Sequence, residues 1–420
     1  MPPGQDADVA LAEVHRAEWG RIVAGLARRF GDLDLAEEVT AEAFAVAVER
    51  WATDGVPPNP GAWITTTAHR RAIDRLRREA RRDDKHREAV LLADDSPAEP
   101  VGAVADDRLR LLFACCHPLL GLETRVALTL RVVVGLTVEQ IARLFLVPPT
   151  TIAQRITRGK AKIGAARVPF RVPERDDLPE RTAAVIAVLS LMYTQAYAGT
   201  GDAPDRLRRD LLDEALRLAR ELHALLPGDV DVAGLLALLL ASAARVPARV
   251  AADGTLVTLA EQDRGAWDRD LIAEADALLG ERRRRGRAGG IRLGRHELLA
   301  AIHLVHAHAP DAGSTDWAQI VALYEMLERV DPSPIVGVNH AIAVAEADSP
   351  EAGLVVLARR ADDLAGHYAF HAVRAHLLAA CGDAPGAHRA YDRAIALAPS
   401  PGMAELLTAR RDAGAPLAPR

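Results

Sequence analysis

The sequence predicts a nearly all-α protein. Alanine and leucine dominate it, only 4% of residues are aromatic, and runs of β-branched residues are rare. Such residues favour helix, and little in the chain favours strand. Half of the residues are apolar, which is ample for real cores and excludes wholesale disorder. A length of 420 residues predicts two to four domains.

Residues 8–53 read as helices. In DLDLAEEVTAEAFAVAVERW the apolar residues Val39, Phe44, Val46, Val48 and Trp51 recur near helical spacing. The breaker cluster TDGVPPNP, at 53–60, ends them. A strongly basic helix follows in GAWITTTAHRRAIDRLRREARRDDKHRE. Ala68, Ala72 or Ile73, and Leu76 form its buried stripe. Arg71, Arg75 and Arg78 stand three to four apart and so share a face. LLADDSPAEPVGAVADD, at 91–107, has the Pro, Gly, Ser and Asp content of a linker.

A second helical block runs from about 107 to 165. Within TVEQIARL, Thr137 can cap a helix and Gln140 can reach back to it. FLVPP breaks the chain. Thr150 or Thr151 opens a further helix, with Ile152, Ile156, Gly159 and Ile163 along one side. Two short helices with a tight connection, the second cationic, make a helix-turn-helix pattern. An ordinary helical hairpin needs no run of seven bases.

VPFRVPERDDLPE, at 168–180, reads as a second linker, and long Ala/Leu helices follow. ALYEMLERVDPSP (322–334) and RAYDRAIALAPSP (389–401) match at a constant offset of 67 residues. Tyr324 aligns with Tyr391, Leu327 with Ala394, Pro332 with Pro399, and Pro334 with Pro401. That offset is close to two tetratricopeptide periods of about 34. Residues 349–364 fall where a middle repeat's second helix would lie, and 211–229 reads as another repeat-like helix. Stacked helical pairs form a groove that holds a peptide or rests on another domain.

Charge is distributed unevenly. The chain carries a net −6, yet residues 63–88 carry +4 and residues 140–173 carry +7 with no acid at all. Two basic islands in an acidic chain point to polyanion contact. The longest apolar runs, such as 232–244, are too short for a membrane span, and MPPGQDADVA does not read as a signal peptide. A cytoplasmic protein with no membrane partner is expected.

Nothing in the sequence reads as an enzyme. Phosphate-loop, dinucleotide, nucleophile-elbow and zinc-protease motifs are all missing from it. FACCHP, at 113–118, offers two thiols and an imidazole. Consecutive helical residues point about 100° apart, so Cys115, Cys116 and His117 do not converge easily on one ion, and core packing is the expectation. His303 and His306 share a face without an acid partner nearby, so packing or surface is expected there. GERRRRGRAGG, at 280–290, reads as an exposed loop. No catalytic residue, metal or cofactor is expected.

In combination these motifs resemble a sigma-70-family RNA polymerase sigma factor of the extracytoplasmic-function (ECF) class. DLDLAEEVTAEAF resembles the polymerase-binding helix of the sigma-2 domain. WITTTAHRRAIDRLRRE resembles the helix that opens and reads the −10 element. LTVEQIARLFLVPPTTIAQRITRGKAKI resembles the −35-reading part of the sigma-4 domain. FACCHP, FLVPPTTIAQR, VPFRVPERDDLPER, 234–272 and 315–327 are similar to the subgroup with a long tetratricopeptide-like C-terminal extension. The resemblance implies a sigma-2-like domain over 1–90, a linker over 91–107, and a sigma-4-like domain over 108–168. A linker over 169–180 and a helical regulatory extension over 181–420 complete the expected order.

The expected partners are core RNA polymerase and promoter DNA, with a further protein or an intramolecular contact for the extension. Thr150, Thr151, Gln154 and Arg155 stand where a recognition helix meets base edges, and Arg158, Lys160 and Lys162 where it grips phosphates. His69, Arg70, Arg71, Asp74, Arg75 and Arg78 are candidates for the −10 element. Trp63 is either a wedge at the duplex edge or a buried anchor. Asp34, Glu37, Glu38, Glu42 and Phe44 would present carboxylates and one ring to a basic polymerase surface. Two other readings stay open at this point. One is a stand-alone helix-turn-helix regulator with a ligand- or partner-sensing helical domain. The other is a helical scaffold with incidental basic faces.

Overall fold

A computed structural model describes residues 3–80, 104–145, 147–198, 205–249, 257–286, 293–399 and 401–413. Among them every regular element is a helix, as the composition predicts. The chain forms two compact units. The first comprises Met1–Tyr197 with Asp202–Glu214, and the second Ala198–Gly201 with Ala215–Arg420.

The first unit opens with α1 (Pro3–Phe30) and α2 (Leu33–Asp54). Gly31 takes a left-handed φ of 69° between them, and Asp32 caps α2 by accepting from the Leu35 amide at 3.0 Å. Val39, Phe44 and Trp51 are buried with Trp19, Val23 and Leu26 of α1. Val48, expected on the same stripe, is 53% exposed. The buried side of α2 is instead completed by Ala36, Ala43 and Ala47, which are fully enclosed. α3 (Pro60–Ala80) starts where the Asn59 side chain accepts from the Ala62 amide at 3.1 Å. Of its expected stripe, Ala68, Ala72 and Ile73 are buried and Leu76 is only half-buried; Ile64 is buried as well.

α4 (Val104–Cys115) begins inside the stretch expected to be a linker, and residues 91–103 lie outside the described residues. α5 (Leu122–Leu128) runs into a π-helical stretch, Thr129–Val134, that stops at Gly135 with φ 85°. A Cβ at Gly135 would stand 2.7 Å from the Trp19 ring, so this glycine serves both the turn and the contact with α1.

α6 (Val138–Phe145) carries the expected reciprocal cap. The Thr137 amide donates to Gln140 Oε1 at 2.8 Å, and the Gln140 amide donates to Thr137 Oγ1 at 3.2 Å. α7 (Pro149–Ala165) starts at its proline rather than at a threonine. Proline fits the first helical position because its φ is preset and it has no N–H to satisfy. Ile152, Ile156, Gly159 and Ile163 form its buried side, as expected.

α8 (Leu178–Ala198) and the first half of α9 (Asp205–Leu225) belong to this unit. Arg181 donates to the Phe113 carbonyl at 2.8 Å. Asp210 pairs with Arg16 of α1 at 3.0 Å, and Glu214 pairs with Arg108 of α4. The division between units therefore falls within α9, not at 169–180. The Arg108–Glu214 pair is nearly closed to water, with side chains 5% and 11% exposed. Removing one partner of such a pair strands a costly charge.

The second unit begins on α9 and continues with α10 (Val230–Ala243), whose Leu235, Leu239 and Leu240 are fully buried. With the turn after it, Val230–Ala248 is long and apolar enough to cross a membrane by length and composition, longer than the apolar run 232–244 alone. A helix apolar on all sides is equally the signature of a core helix. α10 lies against α11 (Arg269–Gly286) and α12 (Arg295–His308). α11 carries the start of GERRRRGRAGG, so that basic run is helical up to Gly286 and not a loop there.

α13 (Trp317–Val330), α14 (Pro334–Ala347), α15 (Pro350–Ala358), the short α16 (Ala361–Leu364), α17 (Tyr368–Ala380), α18 (Ala384–Ala396) and α19 (Pro401–Ala413) complete the unit. The offset of 67 residues has a structural counterpart. The helix bearing Tyr324 gives way to one opened by Pro334, and the helix bearing Tyr391 to one opened by Pro401. Leu327 and Ala394 are both fully buried.

His303, His306, His296 and His376 of this unit are enclosed by packing. His303 is enclosed, with Ser242 Oγ at 3.3 Å and an Arg245 guanidinium nitrogen at 3.4 Å from Nδ1. His306 meets the Trp317 ring edge-on at 5.2 Å. Burial and the neighbouring Arg245 and Arg264 push its pKa down to about 3. Burial pushes His296 and His376 down to about 4.

Two predictions follow from this architecture. A chain ending at Glu214 keeps the Arg108 and Arg16 partners, whereas one ending at residue 180 loses both. Circular dichroism melts should show the shorter chain less stable by about 3 kcal/mol. The second concerns acid. His296, His306 and His376 have depressed folded-state values, so the unfolded chain takes up protons first as pH falls below about 6.5. Their stabilisation is complete above that pH and is lost toward pH 4. Denaturant titrations of the full chain should show a loss of at least about 2 kcal/mol across that window, and His306→Gln should reduce that loss while His296 and His376 keep the remainder.

Candidate nucleic-acid and polymerase interface

α7 offers an outward row beside its isoleucine stripe. Thr150, Gln154 and Arg158 stand one turn apart and are exposed, Lys162 is exposed further along, and Thr151 is half-buried. Arg155 is half-buried and paired with Glu123 of α5. The capping box of α6 and the proline start of α7 fix where this row points.

Lys160 departs from the expectation of a free phosphate grip. Its ammonium stands 2.6 Å from Asp34 Oδ1 and 2.6 Å from Glu37 Oε2 on α2, and its side chain is 12% exposed. Burial works against the charge, but Glu37 and Asp34 outweigh it and hold the ammonium above its ordinary value. The turn of helix between Arg155 and Lys160 sends the lysine to the α2 side of α7.

Glu37 and Phe44 are corrected with it. Glu37 is 7% exposed and not a surface carboxylate. Arg131 Nε donates to its Oε1 at 2.6 Å, and the Arg131 guanidinium also donates to the Leu136 carbonyl at 3.0 Å. Phe44 is buried, 4.8 Å from the His15 ring and 5.9 Å from Trp19. Trp19 Nε1 donates to the Val132 carbonyl at 3.1 Å, and Arg131 lies over its ring at 5.9 Å. Phe44 therefore supports the anchor of the π-helical stretch and is not available to a partner. Burial, then Arg131, pushes the His15 pKa down to about 4, so this aromatic group is neutral at pH 7.

The remaining carboxylates form an edge on α2. Asp34 and Glu38 are exposed and Glu42 partly so. Glu42 accepts from Arg71 of α3 at 2.5 Å, and Glu38 pairs with Arg75 at 2.7 Å. On α3, Arg70, Asp74, Arg77 and Arg78 are exposed, and Arg78 Nε donates to the Asp74 carbonyl at 3.2 Å. His69 turns inward and stands 5.8 Å from the Phe30 ring. It adjoins Ala68 and is itself buried, so it is corrected from the DNA-facing set. Trp63 is half-buried with its ring edge-on to Trp51 at 5.7 Å, which fits the anchor alternative.

Sequence reasoning missed Arg131, Glu123 and Trp19. RVVVG shows one cation in an apolar run, and Glu123 lies in a short helix with no charge pattern. Only their neighbours in space mark them. Cys115 and Cys116 are fully buried, and burial raises the Cys116 thiol to about 12. Both are inert core groups on that account. Among the described residues no set of three or more His, Cys, Asp or Glu is placed to hold a metal.

Glu37 and Asp34 should separate cleanly in stability measurements. Glu37→Ala leaves Arg131 and Lys160 short of a buried counter-charge and should cost about 3 kcal/mol in urea unfolding. Asp34 is 72% exposed, and Asp34→Asn should cost under about 1 kcal/mol.

Comparison with known families places these parts. Sigma-70 region 2 matches residues 17–82, Sigma-70 region 4 matches 110–163, and a family of unknown function, DUF6596, matches 181–283. The chain is 40% identical over 397 residues to uncharacterized protein R00370 of Rhizobium meliloti (strain 1021), covering 93% of this chain and 92% of that one. It is 30% identical over 176 residues to the ECF RNA polymerase sigma factor SigK of Mycobacterium ulcerans (strain Agy99), covering 37% of this chain and 91% of that one. No solved structure matches. A stand-alone helix-turn-helix regulator needs no region 2. Regions 2 and 4 are the parts that engage core RNA polymerase and promoter DNA. With both regions in α1–α3 and α4–α7 and a helical tail beyond them, the chain belongs to the ECF class of sigma-70-family RNA polymerase sigma factors and carries a C-terminal extension.

Proposed function

We propose the following division of labour within this sigma factor. α7 reads the −35 element, with Thr150, Thr151, Gln154 and Arg155 at base edges and Arg158 and Lys162 on phosphates. The exposed row at 150, 154 and 158, set off from the buried isoleucine stripe, carries this reading. Glutamine can bond adenine bidentately, and arginine can do so with guanine. α3 takes the −10 element through Arg70, Asp74 and Arg78 on its outer face, joined by Arg71 and Arg75. Unstacked bases need cations and polar edges to hold them. α2 meets a basic surface of core polymerase through Asp34, Glu38 and Glu42.

The chain itself does no chemistry; the polymerase does. It acts in the cytoplasm, where its partners are. The extension is a tetratricopeptide-like regulatory domain, acting on the sigma regions or through a protein partner. The matched helix–proline–helix junctions at Pro334 and Pro401 support the repeat reading.

Run-off transcription with core polymerase and a set of −35 variants tests the base-reading claim. Arg155→Ala should relax discrimination at one −35 position by about 1–3 kcal/mol. An unchanged preference refutes Arg155 as a reader.

A further inference from the structure

Asp34, Glu38 and Glu42 stand four residues apart, so they line one edge of α2. Each already holds a cation from a DNA-reading helix. Lys160 of α7 is 2.6 Å from Asp34, Arg75 of α3 is 2.7 Å from Glu38, and Arg71 of α3 is 2.5 Å from Glu42. Glu37 backs the first of these from beneath. Any partner that recognises this row of carboxylates must be basic. It therefore cannot simply add to the edge; it must take the place of cations that are there.

We propose that the carboxylate edge of α2 is a shared surface, filled by the chain's own DNA-reading cations in the free protein and by basic groups of core polymerase in the complex. Polymerase binding then frees Arg71 and Arg75 for promoter phosphates, while Lys160 stays on buried Glu37. The proposal rests on the reading of α2 as the polymerase contact.

Physical reasons favour exchange. The Glu38 and Glu42 pairs are formed between side chains 33–52% exposed, and exposed pairs break at little cost. While they persist, each cation has a local counter-charge and releases no counterion on meeting a phosphate. The carboxylates beside them also repel DNA. The free chain thereby meets DNA with two fewer unpaired cations than the complex does. Because polymerase and DNA both favour the separated pairs, each strengthens the binding of the other.

The test measures binding of the full chain to a labelled duplex of random sequence, by fluorescence anisotropy across a salt series, without polymerase. E38Q/E42Q removes two pairing carboxylates at accessible positions. E13Q/E49Q removes the same charge at exposed positions, where neither Glu13 nor Glu49 pairs with a DNA-reading cation. The dependence of log K on log salt should steepen by about 0.9 for each freed cation, so by about 1.8 for E38Q/E42Q. E13Q/E49Q should keep the wild-type slope. Affinity of E38Q/E42Q for core polymerase should fall in the same preparations.

An unchanged slope for E38Q/E42Q, or equal steepening in both variants, overturns the proposal. If the slope is unchanged while polymerase affinity falls, the exchange fails and α2 stands as the polymerase contact. If the slope steepens while polymerase affinity is unchanged, α2 is not that contact and the sharing fails with it. Matching thermal melts of both variants and wild type verify that the comparison is between folded chains.

Discussion

A single buried carboxylate organises the first unit. Glu37 binds Arg131 at 2.6 Å and stands 2.6 Å from the Lys160 ammonium, so region 2 and region 4 meet on it. Removing a carboxylate from water is costly, and two cations with good geometry are what offset that cost. Around it the contacts are apolar or aromatic. Trp19 reaches the Val132 carbonyl, Phe44 and neutral His15 support the indole, and Gly135 leaves space for the ring. The same constraint explains why Lys160 and Phe44 are occupied within the chain. Once Glu37 is enclosed, its neighbours are committed to enclosing it.

The exposed pairs on α2 are of a different kind. Glu38 and Glu42 face water and hold their cations loosely. Buried Glu37 gives the arrangement its geometry, and the exposed row makes it exchangeable. α7 reflects the same division. Its row at 150, 154 and 158 remains open, while Lys160, only a few residues on, faces α2.

The start of the extension belongs structurally to the sigma regions. Asp210 and Glu214 are one turn apart on α9, and they pair with α1 and α4 respectively. Composition places a linker at 169–180 because prolines and charges cluster there. Compactness instead follows ion pairs and buried area, which link 205–214 to helices far earlier in the chain.

The helical class, the helix-turn-helix, its capping box and the stripes of α3 and α7 were legible in the sequence. Each depends on residues within a turn or two of one another, through side-chain size, helical period or a local hydrogen bond. The family could be read in the same way, from contiguous motifs. Tertiary structure alone decided which charged residues face outward. Asp34 and Glu37 share a helix and a charge, yet one is solvated and the other enclosed, because only Glu37 lies under Arg131 of a distant segment. His69 and Arg70 are adjacent, and the 100° step of the helix sends one to Phe30 and the other to solvent. The place where the first unit ends was likewise set by the Arg108–Glu214 pair across 106 residues, a contact that no local pattern encodes.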